Sequence, residues 1–232
     1  MRLDELLVEL GYFSSRTKAK RAILSGHIIV NDKVIMKPSF RVTGNEKIVV
    51  LSYEHEKPLG YIKLKFLEEQ YGSPIIEPGD IILDIGSSAG GFILYALEKQ
   101  ASKVFGIEIS EMFRPMLESI EKKYTGRVRI IFNDIIKVSF NDIGVKVDKI
   151  LCDITAEHTF ILKVIKHVLP ILKENGIILF SIKVGATKKK EISNEIEKIE
   201  LKIYAMGLKV LARLKSLPRK KEIFYICSKV RE

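Results

Sequence analysis

At 232 residues the chain exceeds a lone RNA-binding module and has room for one large α/β domain, or for a small domain joined to a medium one. Hydrophobic residues at 47%, charged residues at 29% and no low-complexity run exclude a disordered or fibrous chain. Lys and Arg outnumber Asp and Glu by 39 − 29 = 10, which favours a polyanionic partner because neutralising phosphates releases counterions.

The longest mostly apolar stretch, at 176–182, falls far short of the roughly 20 residues of a membrane-spanning helix. No secretory apolar core follows the charged start, so a cytoplasmic location without membrane contact is expected. Cys152 and Cys227 are too few for a disulfide framework, and with four scattered histidines they show no metal-ligand spacing, so no metal site is expected.

Leu3, Leu6, Leu7 and Leu10 recur at helical spacing, with Gly11 as a stop. Ser14 or Ser15 caps a second helix, Arg16 to Leu24, whose polar side carries Arg16, Lys18, Lys20 and Arg21. Two short apolar runs, His27 to Val30 and Lys33 to Met36, flank Asn31-Asp32 and read as a hairpin; Lys47 to Leu51 adds a third strand. The polar stretch 52–58 is the joint, which divides the chain into domains 1–57 and 58–232.

Beyond the joint, apolar strands and helices alternate. Strands are expected at 81–85, 103–109, 127–132, 149–152, 176–183 and 222–228, and helices at 91–100, 114–123, 159–172 and 188–206. Apolar runs in β-α-β order imply a parallel, doubly wound sheet covered on both faces.

Leu83-Asp84-Ile85-Gly86-Ser87-Ser88-Ala89-Gly90-Gly91-Phe92 is a glycine-rich turn between first strand and first helix, where this fold places its ligand. Its spacing differs from the dinucleotide-binding G-x-G-x-x-G, which disfavours an NAD site. Glu108 closes the second strand, placed to accept both hydroxyls of a ribose, and Asp134 closes the third. A lone acid at a strand end is most often a helix cap; three at successive strand ends are harder to dismiss.

The Asp-x-Gly loop with an acid ending the next strand resembles class I S-adenosylmethionine-dependent methyltransferases. That resemblance implies a Rossmann-like sheet with S-adenosylmethionine as cofactor. Asp84, Gly86, Ser87, Ser88, Gly90, Gly91 and Phe92 would form the methionine-side loop, Glu108 would meet the ribose and Asp134 the adenine side. The Gly90-Gly91-Phe92 ending is similar to the FtsJ-like ribose 2′-O-methyltransferases and the TlyA (haemolysin-A-like) rRNA methyltransferases. Those families carry a Lys-Asp-Lys-Glu tetrad, which maps onto Lys63, Asp153, Lys183 and Glu222, with Lys65 as the alternative first member. Asp153-Ile154-Thr155-Ala156-Glu157 departs from the pattern of both branches, and Ala89 replaces a residue that is usually Pro or Thr.

A ribose hydroxyl is a poor nucleophile, so the site has to align it with the sulfonium methyl and help remove its proton. Lys183 is the candidate base, expected to be partly buried beside the like charge of Lys63; Asp153 and Glu222 would orient it.

Residues 1–50 resemble the S-four-type RNA-binding domain, an α+β module, through Arg2-Leu3-Asp4, the Ser14 to Arg21 segment, Gly26 to Asn31 and Lys37-Pro38-Ser39. The resemblance implies RNA contacts from Arg2, Arg16, Lys18, Lys20 and Arg21. A second basic cluster, Lys209, Arg213, Lys215, Arg219, Lys220 and Lys221, precedes Glu222 and could guide RNA toward the methyl donor. The expected activity is 2′-O-methylation of RNA, with ribosomal RNA or a ribosomal subunit as partner. The alternative is a non-catalytic RNA-binding or ribosome-assembly factor that retains the fold.

Overall fold

The computed structural model describes residues 1–10, 12–13, 15–50, 57–185, 189–215 and 222–230. The chain separates into two compact units, Met1–Ile62 and Lys63–Glu232.

The first unit opens with α1 (Leu3–Glu9) and α2 (Arg16–Leu24) and continues with β1 (Ile28–Val30), β2 (Lys33–Val34) and β3 (Ile48–Val50). Of the two candidate caps, Ser15 performs the role, its Oγ accepting from Lys18 N at 3.3 Å; Gly11 and Ser14 lie outside the described residues. Asn31 and Asp32 both take positive φ, 46° and 63°, as a two-residue hairpin of primed type requires. The sheet order is β2-β1-β3, all antiparallel. Leu3, Leu6 and Leu7 of α1 pack with Ala19, Ala22 and Ile23 of α2 and Ile28 and Val30 of β1 in a single core, each fully buried large aliphatic contributing roughly 1.5–3 kcal/mol.

α3 (Leu59–Tyr71) follows, with the division between units inside it. The second unit then runs β4 (Ile81–Ile85), α4 (Gly91–Glu98), β5 (Lys103–Glu108), α5 (Arg114–Lys123), β6 (Val128–Phe132), α6 (Phe140–Ile143), β7 (Val147–Cys152), α7 (His158–Val168), β8 (Leu172–Lys183), α8 (Lys189–Tyr204), β9 (Leu208–Lys215) and β10 (Glu222–Lys229). These seven strands form one sheet in the order β6-β5-β4-β7-β8-β10-β9. The core joins Leu83, Phe105, Ile150, Ile178 and Tyr225 from the strands to Ile161, Ile165, Ile199 and Ile203 from α7 and α8.

The doubly wound α/β architecture read from the sequence is present, with one correction. The sheet is not parallel throughout: β6, β5, β4, β7 and β8 are parallel, whereas β10 runs antiparallel to β8, and β9 antiparallel to β10. β9 is not among the strands expected from the sequence, and it carries the basic cluster of Lys209, Arg213 and Lys215. Yet Leu208, Val210, Ala212 and Leu214 alternate with Lys209, Leu211, Arg213 and Lys215, the period of a strand with one covered face. Such a face suits an edge strand, which β9 is.

Candidate functional site

Strand order reverses at β4: β5 lies on one side of it and β7 on the other, and a ligand crevice opens at the strand carboxyl ends there. The glycine loop fills this position. Gly86 and Gly90 take φ of 82° and 77°, a left-handed backbone that side chains resist. A Cβ at Gly86 would run into Ile154 Cγ2, and one at Gly90 into Ile120 Cδ1, so the loop is shaped by close approach as well as by turning. Gly90 is the N-cap of α4 and offers no side chain to its first amides, which leaves a helix N-terminus open toward an anionic group.

Two acids stand beside the loop. Glu108 Oε2 accepts from Ser88 N and Oε1 from Ser110 N, both at 2.7 Å, and each oxygen keeps a lone pair for a further donor. Asp84 is 1% exposed, and among the described residues its Oδ2 has no hydrogen-bond partner. Burial pushes its carboxyl up to about 7, opposed by a hydrogen bond with Ser87 and aided by the charges of Glu108 and Asp153. An orphaned buried acid of this kind suits a cationic group brought by a ligand. Ser87 and Phe92 are buried, Ser87 Oγ donating to Asp84 O at 3.3 Å, so their side chains build the loop from beneath. Asp134 is half-buried, and its Oδ1 accepts from Ile136 N at 3.0 Å: it caps the short turn after β6. Ile109, 70% exposed directly after Glu108, adds an apolar surface at the strand end that the sequence motifs do not mark. Nor do they mark Ile154, packed on Gly86. Position next to an acid was the available signal for both.

The second group meets on the β7–β8–β10 side. From α3, Lys63 Nζ reaches Asp153 Oδ2 at 2.5 Å, just past β7, and Glu222 Oε2 at 3.8 Å, at the start of β10. Glu222 pairs in register with Lys183, the last residue of β8. Side-chain exposures of 12% for Lys63, 18% for Asp153 and 3% for Glu222 leave this charge cluster largely shielded from water. Lys65 is exposed and Lys63 half-buried, so Lys63 is the helix lysine that joins the group. Lys183 is exposed rather than partly buried, and Lys63 is paired with two carboxylates.

In the first unit, Asp4 is fully buried and receives Arg2 Nε at 2.8 Å and Arg16 Nη2 at 3.2 Å. The hydrogen bond from Arg2 holds its carboxyl below the usual range, against the cost of burial. Arg16 also meets Glu5 at 3.1 Å, whereas Lys18, Lys20 and Arg21 stand exposed along α2. Arg219 and Lys220 lie outside the described residues. Among the described residues no cluster of His, Cys, Asp and Glu could hold a metal, and no helix is long and apolar enough to cross a membrane.

A doubly wound sheet with a glycine loop and an acid ending its second strand places the second unit among the Rossmann-like α/β folds. Residues 59–229 match the FtsJ-like methyltransferase family, and residues 1–48 match the S4 domain. The chain belongs to the FtsJ-like methyltransferase family and carries an N-terminal S4 domain.

It is 34% identical over 111 residues to a Bacillus subtilis protein provisionally named rRNA methyltransferase YqxC, covering 47% of this chain and 38% of that protein. It is 33% identical over 110 residues to Hemolysin A of Brachyspira hyodysenteriae, covering 47% and 45%. The chain thus spans less than half the length of these curated relatives. Among solved structures, a Streptococcus thermophilus protein provisionally described as a hemolysin superposes with a TM-score of 0.68 at 18% identity, over 100% of this chain and 89% of that one. Fibrillarin of Aeropyrum pernix, solved with natively bound S-adenosyl-L-methionine, gives 0.59 at 16%, over 81% and 80%. At such identities these two likenesses speak for the fold.

Proposed function

We propose that the chain is an S-adenosylmethionine-dependent methyltransferase that acts on a ribose 2′-hydroxyl of ribosomal RNA in the cytoplasm. In this reading residues 1–57 grip the RNA and residues 58–232 carry the reaction. The observation that carries it is the convergence of Lys63, Asp153 and Glu222, with Lys183 opposite Glu222, at strand ends next to the glycine loop.

The residues present fit the cofactor. The open amides at the start of α4 suit its carboxylate, the orphaned Asp84 oxygen its ammonium side, Glu108 its ribose hydroxyls and the exposed Ile109 its adenine face. Bound there, the cofactor supplies an electrophilic methyl group on a cationic sulfur. The rest belongs to the chain. Lys63, fixed between Asp153 and Glu222, presents a rigid positive centre that orients the acceptor hydroxyl. Opposite Glu222 at the same edge, the exposed Lys183 in its neutral form takes the hydroxyl proton as the oxygen–methyl bond forms and the carbon–sulfur bond breaks. Lys18, Lys20 and Arg21 hold phosphates without reading bases.

The test is incubation with methyl-labelled S-adenosylmethionine and deproteinised small- and large-subunit ribosomal RNA, followed by digestion to nucleosides. A labelled 2′-O-methylnucleoside, lost in Lys183→Ala with RNA binding intact, is the expected result. Label on a base would overturn the ribose assignment. No label on free RNA or on intact subunits would favour the non-catalytic binder.

A further inference from the structure

The segment that leaves β8 right after Lys183 is fastened by a carboxylate from a different element. Val184 is buried, and Gly185 N donates to Glu195 Oε1, on the second turn of α8, at 3.2 Å. The same oxygen lies 4.0 Å from Nδ1 of His158, the first residue of α7. His158 directly follows the short segment 153–157, which leaves β7 and begins with Asp153. One side-chain oxygen on α8 therefore accepts a hydrogen bond from the chain leaving β8 after Lys183 and lies within ion-pair range of the first residue of α7, five residues after Asp153. Glu195 and His158 keep only 22% and 29% side-chain exposure, so the contact is partly shielded from water.

Lys183 pairs with Glu222 and Asp153 N donates to Ile85 O at 3.3 Å, but among the described residues no strand pairing joins the Lys183 and Asp153 segments to each other. Pairing of β7 with β8 runs up to Cys152 and Phe180, which leaves the last three residues of β8 and all of 153–157 beyond the β7–β8 ladder. Lys183 has its cross-strand partner Glu222 on the other side, in β10. On the Asp153 side its position depends on how the chain exits β8. Displacing a reacting group by about 1 Å costs up to about a hundredfold in rate, and groups placed on loops need outside support to stay within that tolerance.

We infer that Glu195 is a positioning residue: by holding Gly185 N beside the start of α7 it fixes the exit of β8 and with it the placement of Lys183 relative to Asp153, without itself touching cofactor or RNA. The inference rests on the reading of Lys183 and Asp153 given under the proposed function.

The test uses the full chain with labelled S-adenosylmethionine and its ribosomal RNA substrate, comparing Glu195→Ala, Glu195→Gln and His158→Ala. Cofactor affinity, RNA affinity and melting temperature are measured alongside kcat and KM. Glu195→Ala is expected to lower kcat by about ten- to a hundredfold, with KM and both affinities within about twofold of the parent. Glu195→Gln, whose amide oxygen still accepts from Gly185, is expected to recover most of kcat, and His158→Ala to lose less than Glu195→Ala. If Glu195→Ala melts below the assay temperature, Gly185→Pro deletes the donor while keeping the acid, and its kcat should fall while that of Glu195→Gln holds. Unchanged kcat in Glu195→Ala, a loss confined to KM or cofactor affinity, or a glutamine variant as slow as alanine at equal stability overturns the inference alone. Full methyl transfer by Lys183→Ala overturns the reaction-centre reading beneath it.

Discussion

Lys63 Nζ and Asp153 Oδ2 lie 2.5 Å apart although 90 residues separate them in the chain, and Glu222, 3% exposed, stands 3.8 Å from the same nitrogen. One lysine thus compensates two shielded carboxylates. Removing it leaves both without that compensation, while removing one acid leaves the other to balance the charge.

Lys63→Ala should therefore destabilise the second unit by roughly 2–4 kcal/mol, allowing for the partial exposure of the pair, and should cost more than Asp153→Asn. Adding Asp153→Asn to Lys63→Ala should restore part of the loss, because the double variant buries one uncompensated charge fewer. Urea unfolding of the two single variants and the double variant measures the coupling. Strict additivity would show that the two side chains do not act as a pair.

Asp84 gives a pH signature. Its carboxyl is raised from 3.8 to about 7 in the folded chain, so between those values the folded state holds a proton that the unfolded state has released. Stability from this group is complete below about pH 4 and declines toward pH 7 by up to about 1.4 kcal/mol per pH unit. Asp84→Asn should flatten that decline over pH 5–7, as read by urea unfolding at each pH. In the parent, affinity for the cationic S-adenosylmethionine should rise with pH through about 7, as Asp84 ionises. Parallel profiles for the parent and the asparagine variant would remove Asp84 from both effects.

At Gly86 the backbone has φ of 82° and the space a Cβ needs is held by Ile154 Cγ2. Gly86→Ala adds a left-handed penalty of about 1–2 kcal/mol to an overpacking cost of about 1–3 kcal/mol. Cofactor affinity should fall with stability, because the loop has to move away from its strained turn. Ile154→Ala in the same chain should relieve the packing part and leave the backbone part. Thermal melts and equilibrium dialysis separate the two, and a double variant no better than Gly86→Ala would show that Ile154 is not the obstacle.

The basic residues of the first unit should divide into two groups. Arg16 holds Asp4 and Glu5, so Arg16→Ala should lower the melting temperature as well as RNA affinity. Lys18, Lys20 and Arg21 are exposed on α2; replacing each by alanine should leave the melt unchanged and reduce the slope of log affinity against log salt by about 0.7–0.9 per lost phosphate contact. Filter binding over a range of salt measures the slope. An unchanged slope in the triple variant would place the RNA elsewhere.

Much of this protein is fixed by local sequence, because the signals are local in origin. α2 follows from Ser15 and the spacing of Ala19, Ala22 and Ile23; the first hairpin follows from Asn31-Asp32; the glycine loop follows from residues that can turn where side chains cannot. The edge strand β9 was legible in the alternation of Leu208, Val210, Ala212 and Leu214, but its charge obscured it. The glycines and the acids at successive strand ends were likewise visible.

Only the tertiary structure decided what each charge does. It joined Lys63 rather than Lys65 to Asp153 and Glu222, left Lys183 exposed, enclosed Asp84 with no partner among the described residues for one oxygen, gave Asp134 a capping role, and brought Glu195 to Gly185 and near His158. Turn and helix signals arise within a few residues of chain, whereas burial and charge pairing depend on distances that only the packing of β7, β8, β10, α3 and α8 sets.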